Sequence, residues 1–295
     1  MSNKSTVVVL AGGTGGAKFA RGMLDVVGDE LVVIANTGDD IEIHDAYVSP
    51  DPDLICFSLA DRIDARGWGL EGDTFEYMRT RDHWFNLGDE DRAIGIRRLH
   101  HIRSGGTLTE AIAALTAELN IHATVLPMSD APVRTEVFTD GVWTGFQEFM
   151  VRGRAQGDIA DVRFCGASTA SPTPQVLEAI AEARAIIIGP SNPVASIGPI
   201  LAVAGSVLQA AAAPVVAVSP IVGKEVLKGP TKAFMKWAGH PADAAGVAAY
   251  YGAIINGMVA DETVASVPCL RADTLLTAST RAAVAQRTLA FALGL

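Results

Sequence analysis

The fold is decided near the N-terminus, by the sequence VVVLAGGTGGAKFA at residues 7–20. Val7 to Leu10 is an apolar run with the length of a buried strand, and Ala17 to Val27 has the apolar spacing of a helix. Glycines at the point where a strand passes into a helix allow backbone N–H groups and the helix N-terminus to bind an anion. The stretch therefore predicts a strand, a phosphate-binding turn and a helix.

This turn departs from two standard phosphate-binding motifs. A GxGxxG frame placed on Gly13 and Gly16 finds Ala11 at its first position, and a P-loop frame finds Ala17 and Phe19 where Gly and Ser/Thr belong. The turn indicates a phosphate, but it does not establish either a dinucleotide or a triphosphate as the ligand. The structural alternative is a tight turn that simply requires small residues.

Strand-length apolar runs alternate with helix-length segments along the rest of the chain. The predicted strands are Val7–Leu10, Leu31–Ala35, Leu54–Leu59, Ala123–Leu126, Ala185–Ile188 and Val215–Val218. The predicted helices are Ala17–Val27, Thr107–Leu119, Gln175–Ala183, Ile200–Ala212, Ala242–Ile255 and Thr280–Leu293. This alternation predicts an α/β fold with a Rossmann-like, doubly wound, mostly parallel sheet.

Two regions interrupt the alternation. Glu136–Phe149 alternates around Asp140-Gly141 and predicts a β-hairpin. Asp61–Ser104 is aromatic and charged, and it predicts a smaller helical insertion that forms a cap over the sheet. Since no linker or repeat separates these regions, we expect residues 1–295 to form a single Rossmann-like catalytic unit.

Composition narrows the class of partner. Hydrophobic residues make up 49% of the chain, and 23 Lys and Arg against 33 Asp and Glu give a formal net charge of -10. Such a charge repels nucleic acid and anionic membranes, so we expect a small-molecule partner. The cysteines Cys56, Cys165 and Cys269 lack metal or disulfide spacing, and no export signal precedes Val7, which favours the cytoplasm.

Acidic residues follow the second predicted strand. Asp39 and Asp40 end the loop that begins at Asn36, and Asp51 and Asp53 follow shortly after. Clustered carboxylates provide the hard oxygen ligands that Mg²⁺ prefers, so the pattern favours a metal site. Turn formation and helix capping are the alternative.

Later strands end in loops that also suit a phosphate ester. Ser191, Asn192 and Ser196 follow one predicted strand, and Lys224 follows the next. The carboxyl ends of parallel strands share one edge of a sheet, so these loops could line one crevice with the glycine turn. In the insertion, Trp68, Trp84 and the neighbouring arginines suit a flat ring system, although packing explains each aromatic residue equally well.

Taken in order, several motifs resemble the 2-phospho-L-lactate transferase family (CofD/FbiA). They are VVVLAGGTGGAKFARGM, NTGDD, VSPDPD, RGWG, WFNLGDEDRA, LPMSDAPV, FQEF, IIIGPSNPVASIGPIL and AVSPIVG, and they span nearly the whole chain. The resemblance implies a Rossmann-like core and a role in coenzyme F-420 biosynthesis. The implied reaction transfers a phospholactyl-type group from a guanosine diphosphate ester to the ribityl hydroxyl of the deazaflavin Fo, releasing GMP.

The resemblance also assigns roles to residues. Asp39, Asp40 and Asp53 would be catalytic and hold Mg²⁺, with Asp53 preferred over Asp51 and also placed to orient or deprotonate the Fo hydroxyl. The acceptor pocket for Fo, which the 61–104 insertion would cap, would be lined by Asp53, Trp68, Trp84 and Arg92. The nucleotide would contact a set of small and polar residues: Gly12, Gly13, Thr14, Gly15, Gly16, Lys18, Asn36, Ser191, Asn192, Ser196 and Lys224.

The chain departs from the family pattern in two places. Pro52-Asp53-Leu54 stands where Leu-Asp-Thr is expected, and Glu90 stands where an arginine is expected. Either change could accompany a different phosphoacid, so 2-phospho-L-lactate, phosphoenolpyruvate and 3-phosphoglycerate all stay open. Neutral drift is the alternative.

Two other functions compete with the transferase. The glycine turn also fits a nicotinamide-dependent oxidoreductase, which the broken GxGxxG frame opposes. A non-catalytic nucleotide-binding sensor would use the same fold without turnover. For any of these functions we expect a cytoplasmic homodimer.

Overall fold

The computed structural model describes residues 5–79, 84–223 and 229–295, together with the backbone of 225–226. The strands are β1 (Thr6–Ala11), β2 (Leu31–Ala35), β3 (Ile41–Ile43), β4 (Ala46–Val48), β5 (Thr124–Pro127), β6 (Arg134–Thr139), β7 (Val142–Gly145), β8 (Asp161–Cys165), β9 (Ala183–Ile188), β10 (Val215–Val218), β11 (Ile221–Val222), β12 (Glu225–Val226), β13 (Gly257–Ala260) and β14 (Cys269–Arg271). The helices are α1 (Gly13–Val27), α2 (Pro50–Leu59), α3 (Glu76–Arg79), α4 (Asp89–Arg103), α5 (Leu108–Glu118), α6 (Pro174–Glu182), α7 (Gly198–Gln209), α8 (Thr231–Trp237), α9 (Ala244–Tyr251) and α10 (Arg281–Ala292).

The central sheet has seven strands in the order β14-β13-β10-β9-β1-β2-β5, and every pairing between neighbours is parallel. From β1 the chain proceeds to β2 and β5 on one side, and from β9 it proceeds to β10, β13 and β14 on the other. The strand order therefore reverses between β1 and β9, which is where a crevice opens in a doubly wound sheet. The predicted Rossmann-like α/β fold is confirmed.

The sheet is buried on both faces. Val7 and Val9 of β1 pack into a core with α1, α2, α5 and α10, whereas Val8 and Leu10 pack into the opposite core with α6, α7 and α9. All four side chains are fully buried, which explains why β1 reads as a continuous apolar run rather than an alternating one.

Strand register brings the loops to a common edge. Leu10 of β1 pairs with Ile34 of β2 on one side and with Ile188 of β9 on the other. The turns that begin at Gly12, Asn36 and Gly189 therefore leave the sheet at the same level. This alignment places the glycine turn, the acidic loop and the 189–196 loop side by side.

One predicted strand is wrong. Leu54–Leu59 forms the second half of α2, which begins with Pro50 at its first turn. Every residue from Asp51 to Leu59 is buried, so the helix shows no polar face. A short, wholly apolar run cannot be assigned to helix or strand by periodicity, and Pro50 marks a helix start instead.

Other local predictions are confirmed. Strands β6 and β7 form the predicted hairpin, and Asp140 and Gly141 both take positive φ values, 52° and 80°, as a tight hairpin turn requires. The predicted helix Thr107–Leu119 corresponds to α5, and Thr107 and Glu110 form a capping box at its start. Strand β8 pairs with β6 on the side away from β7, which completes a three-stranded antiparallel sheet that the sequence pattern did not indicate.

The predicted insertion contains helices α3 and α4, and residues 80–83 within it lie outside the described part of the chain. A small separate core joins it to the hairpin formed by β3 and β4. That core consists of Ala46, Val48, Met78, Phe85 and Leu87. Among the helices that the structure describes, none is long and apolar enough to cross a membrane.

Candidate functional site

The glycine turn forms one wall of a cavity of about 550 Å³ at the switch point of the sheet. Helix α1 begins at Gly13, and Gly12 precedes it in an extended conformation. The amide of Gly12 donates to Ser191 Oγ at 3.1 Å, and the amide of Gly13 donates to Asp51 Oδ1 at 2.7 Å. The amides of Thr14 and Gly15, which lack helical carbonyl partners, lie at the cavity wall.

The glycines are also needed for packing. A Cβ at Gly15 would lie 2.1 Å from the carbonyl oxygen of Pro190, and a Cβ at Gly12 would lie 2.5 Å from Asp51 Oδ2. Both distances are far below a van der Waals contact. The small residues therefore serve two purposes, since they let neighbouring loops touch and they leave backbone amides accessible to an anion.

The loop after β9 forms the facing wall. Ser191, Asn192 and Ser196 all line the cavity, as the sequence pattern suggested. Asn192 Oδ1 accepts hydrogen bonds from the amides of Val194 and Ala195, each at 3.0 Å, and so caps the helical turn that follows. Lys18 of α1 also lines the cavity and, among the described lining residues, is the one with a cationic side chain.

Two carboxylates face each other in this cavity, from Asp39 and Asp51. Asn36 joins them, because its Nδ2 donates to Asp39 Oδ1 at 3.1 Å and to Asp51 Oδ2 at 2.8 Å. Burial raises the pKa of Asp51 to about 6. Burial and the charge of Asp51 raise the pKa of Asp39 well above its ordinary value. The two buried carboxylates repel each other when both are ionised, and a bound cation would offset that repulsion.

Asp40 lies behind this pair and does not line the cavity. Its Oδ2 accepts a hydrogen bond from the hydroxyl of Tyr47 at 2.9 Å, and its Oδ1 accepts one from Ser49 Oγ at 2.7 Å. Burial raises the pKa of Asp40 to about 7, against the opposing charge of Arg134. With both oxygens hydrogen-bonded to protein groups, Asp40 is placed to support the loops and not to contact a ligand.

Asp53 also lies outside the cavity wall. Both of its oxygens are bound by Arg98 of α4, one of them at 3.0 Å, and the two side chains are almost completely buried. The structure therefore brings Asp51, and not Asp53, beside Asp39. Asp51 and Asp53 lie two residues apart, so the sequence motif alone does not distinguish them. In the first turn of α2 their side chains point in different directions.

The described ranges contain no group of three or more His, Cys, Asp or Glu side chains arranged to hold a metal ion. The predicted set of Asp39, Asp40 and Asp53 is accordingly not assembled. Two oxygen ligands from Asp39 and Asp51 suit Mg²⁺, which commonly binds through one or two carboxylates together with substrate phosphates and water. Their mutual repulsion and their accessibility from the cavity both fit such an ion.

The residues assigned to Fo are dispersed. Trp68 lines the cavity and its side chain is 47% exposed. Trp84 packs edge-on against Phe85 in the small core. The Nε of Arg92 donates to the carbonyl oxygen of His44 at 2.9 Å. Neither Trp84 nor Arg92 lines the cavity, and Lys224 lies outside the described residues.

Sequence reasoning missed several parts of the cavity wall. They are Phe146 and Met150 beyond the hairpin, and Thr274, Leu275 and Leu276 beyond β14. Phe146 begins the motif FQEF and Met150 directly follows it, and this motif carried the resemblance without an assigned role. The last three follow a strand that the apolar pattern did not reveal, because Cys269–Arg271 is short and only partly buried.

Comparisons with known proteins show the family to which the chain belongs. The model of the family 2-phospho-L-lactate transferase CofD matches residues 7–284. A 2-phospho-L-lactate transferase of Methanosarcina mazei is 37% identical over 263 residues, which cover 87% of each chain. A phosphoenolpyruvate transferase of Kitasatospora aureofaciens is 39% identical over 271 residues, covering 86% of this chain and 84% of that protein.

A solved structure supports the fold independently. A UPF0052 family member from Bacillus halodurans superposes with a TM-score of 0.65 and covers 96% of this chain and 98% of its own. The two chains are 16% identical, so this likeness concerns the fold alone.

Asp53→Asn should cost about 3–5 kcal/mol in the free energy of unfolding, because it leaves the Arg98 guanidinium buried without a counter-charge. Urea titration measures this cost. Asp53→Asn combined with Arg98→Met should be less destabilised than the sum of the two single variants. If Asp53→Asn unfolds like the wild type but loses metal binding, the carboxylate serves the ligand and not the ion pair.

Asp51→Asn should stabilise the metal-free protein at pH 8. The pKa of Asp51 is raised from 3.8 to about 6 by folding, so its ionisation opposes folding and removes stability as the pH rises from about 4 to 6. Removing the charge should therefore add about 1–3 kcal/mol at pH 8 relative to pH 4. Loss of the hydrogen bond from Asn36 Nδ2, which an amide nitrogen cannot accept, should cost about 1 kcal/mol at both pH values. Thermal unfolding in EDTA at the two pH values tests this.

The same variant should no longer gain stability from Mg²⁺ together with GDP, because half of the carboxylate pair is lost. Asp158→Asn is a matched control, since that side chain is 98% exposed. A variant that is less stable than the wild type at pH 8 and still responds to Mg²⁺ would contradict this assignment.

Proposed function

Because the chain belongs to the 2-phospho-L-lactate transferase (CofD) family, we propose that it transfers a phospholactyl-type group from a guanosine diphosphate ester to the ribityl hydroxyl of Fo. The new bond joins the ribityl oxygen to the distal phosphorus. Two bonds break: the bond from that phosphorus to the bridging oxygen, which leaves with GMP, and the O–H bond of the ribityl hydroxyl, whose proton passes to solvent. The observation that carries this proposal is the juxtaposition of an amide-lined turn and the Asp39–Asp51 pair in one cavity.

The turn accounts for binding of the diphosphate. The amides of Thr14 and Gly15 and the positive end of the α1 dipole favour anionic oxygens at this point. Lys18 adds a full positive charge one turn further along the same helix. Ser191 and Ser196 supply hydroxyl groups from the opposite wall. These groups hold the phosphorus while the acceptor hydroxyl approaches it in line.

Asp39 and Asp51 would hold Mg²⁺, and the ion would neutralise charge on the phosphate oxygens during transfer. The chain's own contribution is to keep the two carboxylates together. Asn36 bonds to both, and the Gly13 amide fixes Asp51. Asp53 has no part in this proposal, since both of its oxygens bind Arg98.

Trp68 is the acceptor-binding residue that the structure supports best. Its indole lies at the cavity mouth, and the Arg66 guanidinium covers one face of the ring at 4.1 Å. A flat ring can stack on such a surface. The resemblance to a phospholactate transferase and to a phosphoenolpyruvate transferase supports the donor class and leaves its phosphoacid to experiment.

Purified protein incubated with Fo, Mg²⁺ and each synthetic donor (the guanosine diphosphate esters of 2-phospho-L-lactate, phosphoenolpyruvate and 3-phosphoglycerate) should form GMP and a phosphodiester of Fo in equal amounts with at least one donor. Chromatography of both products measures this. Asp51→Asn should reduce the rate by about 100-fold or more, as expected for loss of a group that positions a catalytic cation, and Asp158→Asn should match the wild type.

Binding without turnover would instead favour a nucleotide sensor. Thermal stabilisation by NADH, with none by GDP or Fo, would favour the oxidoreductase. Either result would overturn the transferase assignment while leaving the fold unchanged.

A further inference from the structure

A network of polar side chains, three of them buried and the fourth, Arg134, partly buried, lies directly behind the carboxylate pair. It consists of Asp40, Tyr47, Ser49 and Arg134, and we call it the clasp. Asp40 is 3% exposed and Ser49 is fully buried. None of the four residues lines the cavity, so the clasp can influence a bound ligand only through other residues.

The clasp joins the two loops that carry the pair. Asp40 immediately follows Asp39, and its Oδ1 accepts a hydrogen bond from Ser49 Oγ at 2.7 Å. Ser49 is in turn two residues before Asp51. A short chain of covalent bonds and one hydrogen bond therefore sets the distance between the loop after β2 and the start of α2.

Arg134 anchors the clasp to the three-stranded sheet. Its Nη2 donates to the Tyr47 hydroxyl at 3.0 Å, and that hydroxyl donates to Asp40 Oδ2 at 2.9 Å. Nη1 of Arg134 donates to the carbonyl oxygens of Val133 and Thr37. The amide of Thr135 also donates to the carbonyl oxygen of Gly38 at 2.7 Å. The loop that carries Asp39 is therefore held by hydrogen bonds to β6 of the three-stranded sheet, which lies outside the central sheet.

The clasp holds the two loops against the electrostatic repulsion between Asp39 and Asp51. The charges of Asp39 and Asp51 repel each other, and among the described residues Asn36 is the one side chain that bonds to both. Loops held by Asn36 alone could relax apart in the absence of a cation. The clasp opposes that relaxation with hydrogen bonds to a carboxylate, which are stronger than those between neutral groups.

We propose that the clasp residues Asp40, Tyr47, Ser49 and Arg134 are positioning residues, which preset the separation of Asp39 and Asp51 for a divalent cation bound with the donor diphosphate. This inference rests on the proposed function, because it takes Asp39 and Asp51 as the ligands. It differs from the sequence-based expectation for Asp40, which was direct coordination. Outer-shell partners of this type commonly govern how tightly a metal binds.

Tyr47→Phe tests the clasp, since it removes the hydroxyl that connects Arg134 to Asp40 and keeps the aromatic ring. In the presence of saturating GDP, the Kd for Mn²⁺ measured by calorimetry should rise about tenfold, the lower end of typical outer-shell effects. GDP affinity in EDTA should stay within about twofold of the wild type, because the phosphate-binding groups are untouched. Excess Mg²⁺ should restore the transferase rate.

Tyr251→Phe is the matched control. The Tyr251 side chain is 2% exposed, and its hydroxyl has no hydrogen-bond partner within the described ranges. This variant should leave the Mn²⁺ affinity unchanged. Ser49→Ala removes the other bond to Asp40 and should also weaken Mn²⁺ binding, which gives a second reading if Tyr47→Phe folds poorly.

The outcomes distinguish a failure of the clasp inference from a failure of the proposed function. If Tyr47→Phe and Ser49→Ala lower the melting temperature but bind Mn²⁺ like the wild type, the network is only structural and the inference fails. If the wild type itself does not bind Mn²⁺ with GDP, the metal-dependent mechanism fails and the role of the clasp fails with it.

Discussion

The hydrogen bond from the Gly13 amide to the Asp51 carboxylate is the contact on which the site depends. It joins the first turn of α1 to the first turn of α2, and the other oxygen of the same carboxylate binds Asn36 at the end of β2. One buried side chain therefore connects three segments that leave the sheet at the same edge. Gly12 is required beside it, since a Cβ there would collide with Asp51 Oδ2.

The two buried carboxylates that would bind a ligand also lower the stability of the folded protein. The chain carries a net charge of -10 and still buries two facing carboxylates beside a phosphate-binding turn. Their raised pKa values mean that folding opposes their ionisation, so the metal-free site destabilises the protein at neutral pH. In the proposed mechanism, a bound cation would relieve that repulsion and would provide charge for an anionic substrate. Strain of this kind is expected where function and not stability has determined the residues.

The fold could be predicted well because its signals are local. Buried parallel strands appear as apolar runs, and the β1 turn, the β6–β7 hairpin and the α5 capping box are each specified by adjacent residues. The strands β13 and β14 at one side of the sheet and the all-buried helix α2 were not predicted as such, since short or uniformly apolar segments lack a distinguishing period. The fold class followed from the pattern, but the strand order and the full cavity wall did not.

The sequence indicated which loops lie at the site, but not which of their side chains face the cavity. Strand ends indicated the glycine turn, the 191–196 loop and Asp39, and the structure places all three at one cavity. Their roles in binding stay predictions. Choosing between Asp51 and Asp53 required the direction of each side chain on α2, which depends on Arg98, a residue 45 positions away from Asp53. Likewise, the role of Asp40 depends on Tyr47 and Arg134, which only the tertiary structure brings together.

The most direct test is anomalous diffraction from crystals of the protein grown with Mn²⁺ and GDP. The account predicts one Mn²⁺ peak bonded to carboxylate oxygens of Asp39 and Asp51 and to a GDP phosphate oxygen, with Asp53 still paired to Arg98. A peak coordinated by Asp53 or Asp40, or GDP bound away from the α1 turn, would contradict it.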